Sequence, residues 1–196
     1  MAIRFQYNKI SLKQMQQQLK IRVDALPVLK FKEAVLRSEA EKAKKTKAEL
    51  EQKLKAKMEG YMHMDILWQE FPLYALAVGN VRTSTKNIAG VRVPKLENVE
   101  FDQQPVCWFT MPSWIPDGMW MLRELACLAI EQRILSETAD LLEKTRKKTT
   151  QKVNLYEKVQ VPGYSDAIAR ITKYLDDEEA LGKAIQKIMK NKLMSL

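Results

Sequence analysis

Residues 12–57, LKQMQQQLKIRVDALPVLKFKEAVLRSEAEKAKKTKAELEQKLKAK, decide the fold. Within them Leu12, Met15, Leu19, Arg22, Leu26, Leu29, Glu33, Leu36, Ala40, Ala43, Lys47, Leu50, Leu54 and Lys57 recur at alternating steps of three and four. That spacing keeps one face of an α-helix turned toward a partner helix. Ten of these fourteen positions are apolar, so one partner is expected along most of the face. A helix from about Ser11 to Asp65 would be roughly 80 Å long, more than a small globular core spans. Ser11 followed by Gln14 fits a capping box that would start the helix. Pro27 removes the amide hydrogen that would bond the Val23 carbonyl, so a kink is expected there without an end to the pattern.

A matching pattern occupies the other end of the chain. Met121, Leu125, Leu128, Gln132, Leu135, Ala139, Leu142, Arg146, Thr149, Val153 and Tyr156 form one seam, which shifts register near Pro162. It resumes through Val161, Tyr164, Ile168, Ile171 and Leu175, then Leu181, Ile185 and Ile188. Two amphipathic helices of similar length bury their stripes by folding back on each other. The stretch between Ile66 and Gly118 differs, holding five of the seven prolines and three of the four tryptophans. Ala75 to Val81 and Ile88 to Val93 read as short strands around a polar loop at Arg82 to Asn87, with Pro94 confining the second to an edge. Pro105, Pro112 and Pro116, around Trp108, Phe109 and Trp114, suggest an irregular aromatic base. The expected fold is mainly α: a long antiparallel two-helix coiled coil of the N- and C-terminal helices, with a small inserted head containing a β-hairpin. Its segments are 1–65, 66–118 and 119–196.

Composition agrees. Charged residues make up 29% of the 196 residues, and Gly and Pro together number 13, too few turns for a many-stranded fold. A formal charge of +9 favours an acidic partner, whether nucleic acid, membrane surface or protein. Two cysteines, Cys107 and Cys127, lie twenty positions apart without a CxxC, which indicates reduced thiols rather than zinc or a disulfide scaffold. Met1 to Ile10 lacks the apolar run of a secretory leader, and no stretch has a clean spanning length, so any membrane association is expected through a partner.

Catalytic chemistry is poorly supplied. The single histidine, His63, has no nucleophile or metal-ligand companions, and no phosphate-binding glycine loop is present. No catalytic, cofactor or metal residue is therefore assigned. Asp176 to Glu179 are consecutive on a helix and point around it, so they read as a solvated face. Lys42, Lys44, Lys45, Lys47, Lys53, Lys55 and Lys57 on the first helix, and Lys144, Arg146, Lys147, Lys148 and Lys152 on the second, would form a positive belt. It is either a partner surface or plain solvation of an exposed rod. The belt lacks base-stacking aromatics, which argues against nucleic acid.

The segment Thr149-Thr150-Gln151-Lys152-Val153-Asn154-Leu155-Tyr156-Glu157-Lys158-Val159-Gln160-Val161-Pro162 resembles the C-terminal helix of the D subunit of V-type and A-type ATPases. There a basic run leads into Val-Asn-Ala-Leu-Glu and, after a spacer, Ile-Pro; Val153, Asn154, Glu157 and Pro162 carry the match, while Leu155-Tyr156 replaces Ala-Leu. In the head, Asn87-Ile88-Ala89-Gly90-Val91-Arg92-Val93-Pro94 is similar to the family's Asn-Ile-x-Gly-Val-x-Val-Pro, through Asn87, Gly90 and Pro94 above all. With Pro27 unusual in the first helix and a short N-terminal tail, the chain looks like a divergent bacterial branch.

The resemblance implies a non-catalytic central rotor shaft, cytoplasmic and peripheral to the cell membrane, one copy per complex. It would carry torque between the A/B catalytic hexamer and the membrane ring, coupling ATP hydrolysis or synthesis to proton or sodium transport. The implied partners are the A, B and F subunits and the membrane-ring adaptor, with no nucleic acid and no direct membrane insertion. Lys13, Lys20, Arg22, Lys187 and Lys190 are the candidate hexamer contacts. Lys42, Lys45, Lys53, Lys144 and Lys148 are the candidate surface for the F subunit. Pro27 and Pro162 are expected to make the shaft asymmetric. The competing reading is a coiled-coil adaptor or tether unrelated to any ATPase, which would form homodimers.

Overall fold

The computed structural model describes residues 3–72, 74–105 and 111–194. Helix α1 runs Lys9–Tyr61, followed by a 3-10 turn Met62–Met64 and a short α2 Asp65–Gln69. Strands β1 Leu76–Ile88 and β2 Val91–Gln103 form an antiparallel hairpin. Helix α3 Ile115–Leu155, a π-helical turn Tyr156–Gln160 and α4 Val161–Met194 complete the order. The chain is mainly α with paired long helices and one small hairpin, as the periodicity indicates. Two compact units divide it: residues 1–33 with 148–196, and residues 34–147.

In the first unit α1 meets the C-terminal helices in antiparallel order. Arg22 Nε donates to Gln160 Oε1 at 2.7 Å, Lys30 Nζ meets Glu157 Oε1 at 2.6 Å, and Thr150 Oγ1 donates to Glu33 Oε1 at 3.1 Å. Ala167 and Ile171 are buried on α4. The helix start differs from the capping box expected at Ser11. Asn8 is the cap: its Oδ1 accepts from the Ser11 N–H at 2.6 Å, while Ser11 Oγ accepts from the Gln6 N–H at 3.3 Å. Asparagine caps as well as serine, and here the chain reverses at Gln6 to Asn8, which places the cap one turn earlier. Helix α1 continues through Pro27.

In the second unit the same antiparallel order appears in Lys44 with Glu143, Lys47 with Ser136 at 2.9 Å, and Lys57 with Glu124. All fourteen seam positions of α1 are buried or half-buried. The four polar ones, Arg22, Glu33, Lys47 and Lys57, each reach a polar group on the opposite helix. Such pairs cost stability relative to apolar residues but fix register, since a slip would strand them.

The hairpin corrects the expected loop. Arg82 to Asn87 are not a loop but part of β1, paired through Arg82 with Asn98 and Asn87 with Arg92, and the turn is Ala89-Gly90. Both turn residues have positive φ, 49° and 81°, as a two-residue hairpin turn of this hand requires, and Asn87 Oδ1 accepts from the Gly90 N–H at 2.9 Å. A two-stranded ribbon is solvated on much of both faces, so polar strand residues there imitate a loop. Pro94 is tolerated because, among the described residues, neither strand has a second neighbour.

The hairpin end packs on the coiled coil. Leu36, Ala40, Leu142 and Val93 form one buried cluster, joined by Ala43, Ile88, Ala89 and Val91. Alanines at the seam leave a shallow floor that Val93 and Ile88 fill, and Thr138 Oγ1 donates to the Pro94 carbonyl at 3.1 Å. A second cluster holds Phe71, Ala75, Ile115 and Met119 with Trp68 and Trp114, whose rings meet edge-on at 5.5 Å. Of the expected aromatic base, Trp114 belongs here, while Trp108, Phe109 and Cys107 lie outside the described residues. Pro116 sits in the first turn of α3, where its missing amide hydrogen is not needed.

Candidate partner-binding surfaces

Among the described residues no group of acidic, cysteine and histidine side chains could hold a metal. His63 lies exposed on the 3-10 turn, and Cys127 is a half-buried free thiol. No helix among the described residues is long and apolar enough to cross a membrane.

The candidate residues fall into distinct groups. In the first unit Lys13 and Lys20 are exposed on α1, and Lys187 and Lys190 are exposed on α4. Arg22 is half-buried and already engaged. Its Nη1 donates to the Gln18 carbonyl and side chain at 2.9 and 2.6 Å, and its guanidinium lies 4.4 Å from the Tyr164 ring centre. Among the described residues its remaining nitrogen, Nη2, has no hydrogen-bond partner. Val28 and Phe31 are exposed apolar residues on the same helix, an unusual amount of oily surface beside Pro27.

The last two turns and more of α4 stand out. Residues 183–194 are all exposed, yet Leu181, Ile185, Ile188, Met189 and Leu193 recur on one helical face. Lys187, Lys190 and Lys192 flank that stripe, and Lys183 pairs with Glu179 at 2.7 Å. In the sequence this apolar stripe reads as a continuing seam; in the structure it has no core beneath it. Its exposure follows from α1 beginning at Lys9, beside Thr172 to Glu179, so that α1 leaves the later turns of α4 unpaired.

In the second unit Lys42 is held by Glu39 at 2.8 Å, whereas Lys45 and Lys144 are exposed with no ion pair among the described residues. The pairing of Lys44 with Glu143 brings Lys45 and Lys144 to one level. Lys53 is also exposed but lies further along α1 than Lys45, roughly 12 Å away along the helix, toward the Lys57 and Glu124 pair. Lys148 is exposed in the first unit. The charges were visible in the sequence; which of them were neutralised was not.

Glu143 is the anchor of that level. Arg146 binds its carboxylate through two nitrogens, at 3.1 and 2.7 Å, and Lys44 reaches it at 3.4 Å from the other helix. The Arg146 hydrogen bonds, opposed by partial burial and aided by Lys44, pull the Glu143 carboxyl down from 4.5 to about 2. A carboxyl depressed in the folded chain stabilises it above its ordinary range and loses that contribution as pH falls toward the folded value. Glu143→Gln is therefore expected to cost about 1 kcal/mol at pH 7, a value discounted for the exposure of Lys44. Thermal melts of both proteins should converge as pH falls from 5 to 2; a constant gap would show that the carboxylate charge is not what Arg146 and Lys44 hold.

Comparison with known proteins adds the context. The family model for the ATP synthase D subunit matches residues 11–191. The V-type ATP synthase D subunit of Borreliella burgdorferi is 30% identical over 190 residues, covering 95% of this chain and 93% of its own. The corresponding V-type ATP synthase proteins of Chlamydia muridarum and Chlamydia caviae are 28% and 27% identical, covering 98% and 86% of this chain and 98% and 83% of theirs.

Proposed function

Because this chain belongs to the ATP synthase D subunit family, we propose that it is the central rotor shaft of a V-type ATPase, carrying torque between the catalytic A/B hexamer and the ion-translocating ring. The observation that carries this reading is the antiparallel α1 pairing, held in register by a polar pair at each of the four polar seam positions of α1. A two-helix coil resists bending and twist better than one helix, and register-fixing pairs keep the two strands from sliding under load. The chain is non-catalytic: chemistry belongs to its partners, and it transmits their motion.

The three segments 1–65, 66–118 and 119–196 divide this task. The terminal helices form the shaft, and the inserted head, through its hairpin and aromatic cluster, faces the membrane-ring adaptor. Lys13, Lys20, Lys187 and Lys190, with the free edge of Arg22, contact the hexamer; the stripe Leu181 to Leu193 enters its apolar lining. Lys45 and Lys144, level with each other and engaged in no ion pair among the described residues, are the strongest contacts for the F subunit, with Lys42, Lys53 and Lys148 secondary. Pro27 and Pro162 give the shaft unlike sides toward otherwise equivalent catalytic interfaces. One copy serves each complex, in the cytoplasmic sector, driving proton or sodium transport or ATP synthesis in reverse.

Co-expression with the A, B and F subunits tests this. Stoichiometric entry into the hexamer on gel filtration, with altered ATP turnover, supports the shaft. A free homodimer under conditions where A and B assemble would replace it with the adaptor reading.

A further inference from the structure

The C-terminal seam of the first unit carries one residue too many. Thr149, Val153 and Tyr156 step by four and three, but the next seam residue is Val161, five positions on, after which Tyr164, Ile168, Ile171 and Leu175 resume the regular steps. In an unbroken α-helix the extra residue would rotate everything beyond it by about 100° away from α1. Residues Tyr156–Gln160 absorb it instead as a π turn, closed by the Val161 N–H bonding to the Tyr156 carbonyl. Pro162 favours this opening, because its ring crowds the Lys158 carbonyl and it has no amide hydrogen to offer.

Two elements hold the turn, α1 and the N-terminal strap. Arg22 and Lys30, eight positions apart on α1, converge on its two ends through Gln160 and Glu157. Arg22 also stacks on Tyr164 just beyond it. The N-terminal strap Ile3 to Tyr7 lies along α4: a Cβ on Gly163 would come within 3.1 Å of Ile3 Cδ1, and the Tyr7 and Tyr174 rings meet at 4.9 Å. Glycine at 163 thus makes the notch into which Ile3 fits.

The geometry points to the π turn as a clamped yielding point, where backbone pairing exchanges between five-residue and four-residue spacing and where Arg22, Lys30 and the strap hold the five-residue form. Removal of one residue would give a perfect three-four seam and a regular helix, so the extra residue costs stability. In the shaft reading, on which this functional sense rests, the turn takes up twist between catalytic steps.

Hydrogen exchange on the full chain alone tests the clamp. Arg22→Met should speed exchange of the amides at 157–161 and 163 about tenfold, as loss of one charge-assisted hydrogen bond would, with little change at 165–175. Deletion of Lys158 should slow exchange in the same segment, raise the melting temperature and remove the response to Arg22→Met. Uniform acceleration through 148–175, no response to Arg22→Met, or loss of helix on deleting Lys158 would each overturn the proposal. None of these readouts depends on assembly with an ATPase. Loss of coupled turnover in a complex carrying the Lys158 deletion would then tie the clamp to torque, and unchanged turnover would remove that functional sense.

Discussion

Leu142→Ala is expected to destabilise the chain by about 3 kcal/mol, within the range for emptying a fully buried leucine site. For a protein of this size that corresponds to a melting temperature lower by roughly 6–12 °C. Leu142 is 1% exposed and touches two elements at once: Leu36 and the seam alanines of α1, and Val93 of the hairpin. Alanines cannot move in to fill the space, so the cavity persists. Val93→Ala should cost about 1–2 kcal/mol on its own, and the double variant should depart from additivity by about 0.5 kcal/mol or more, because the two side chains share one cluster. Strict additivity in thermal or urea melts would mean that the hairpin end does not share the coiled-coil core.

A stop codon after Ala180 is expected to leave folding almost untouched and remove most of the coupling. The described residues it removes are exposed apart from Gly182, and the ion pair of Lys183 with Glu179 is itself exposed. The melting temperature should therefore move by no more than about 2 °C. The apolar stripe Leu181 to Leu193 is exposed along its length, and in the proposed shaft it is the bearing surface. Ion transport driven by ATP in reconstituted vesicles should then fall by more than about tenfold, the effect of losing a buried apolar anchor at an interface. Full transport by the truncated protein would show that the stripe is not a bearing.

Much of this was legible in the sequence, for physical reasons that differ by element. The α1 seam was readable because a heptad stripe reflects one partner along its whole length, and the polar positions Arg22, Glu33, Lys47 and Lys57 broke the pattern without ending it. The five-residue step from Tyr156 to Val161 announced a register shift near Pro162, but not that a π turn would absorb it, since that depends on hydrogen-bond geometry. The hairpin turn was misplaced because Ala89, at positive φ, carries no turn signal, while Arg82 to Asn87 are polar only because their ribbon is solvated. Sequence alone favours Ser11 over Asn8 as the helix cap because both residue types cap, and the reversal at Gln6 is not local to either. Surface candidates were the least legible. Lys42, Lys44 and Lys45 look alike in sequence, yet Glu39 and Glu143 neutralise the first two and leave Lys45 for a partner.

In the shaft reading this chain turns. A probe fixed to the hairpin turn at Ala89-Gly90, in a complex whose A/B hexamer is immobilised, reports that motion directly. Stepwise rotation in one direction, dependent on ATP and stopped when ATP is withdrawn, is the result the account requires. ATP hydrolysis by the same complexes with a stationary probe would contradict it.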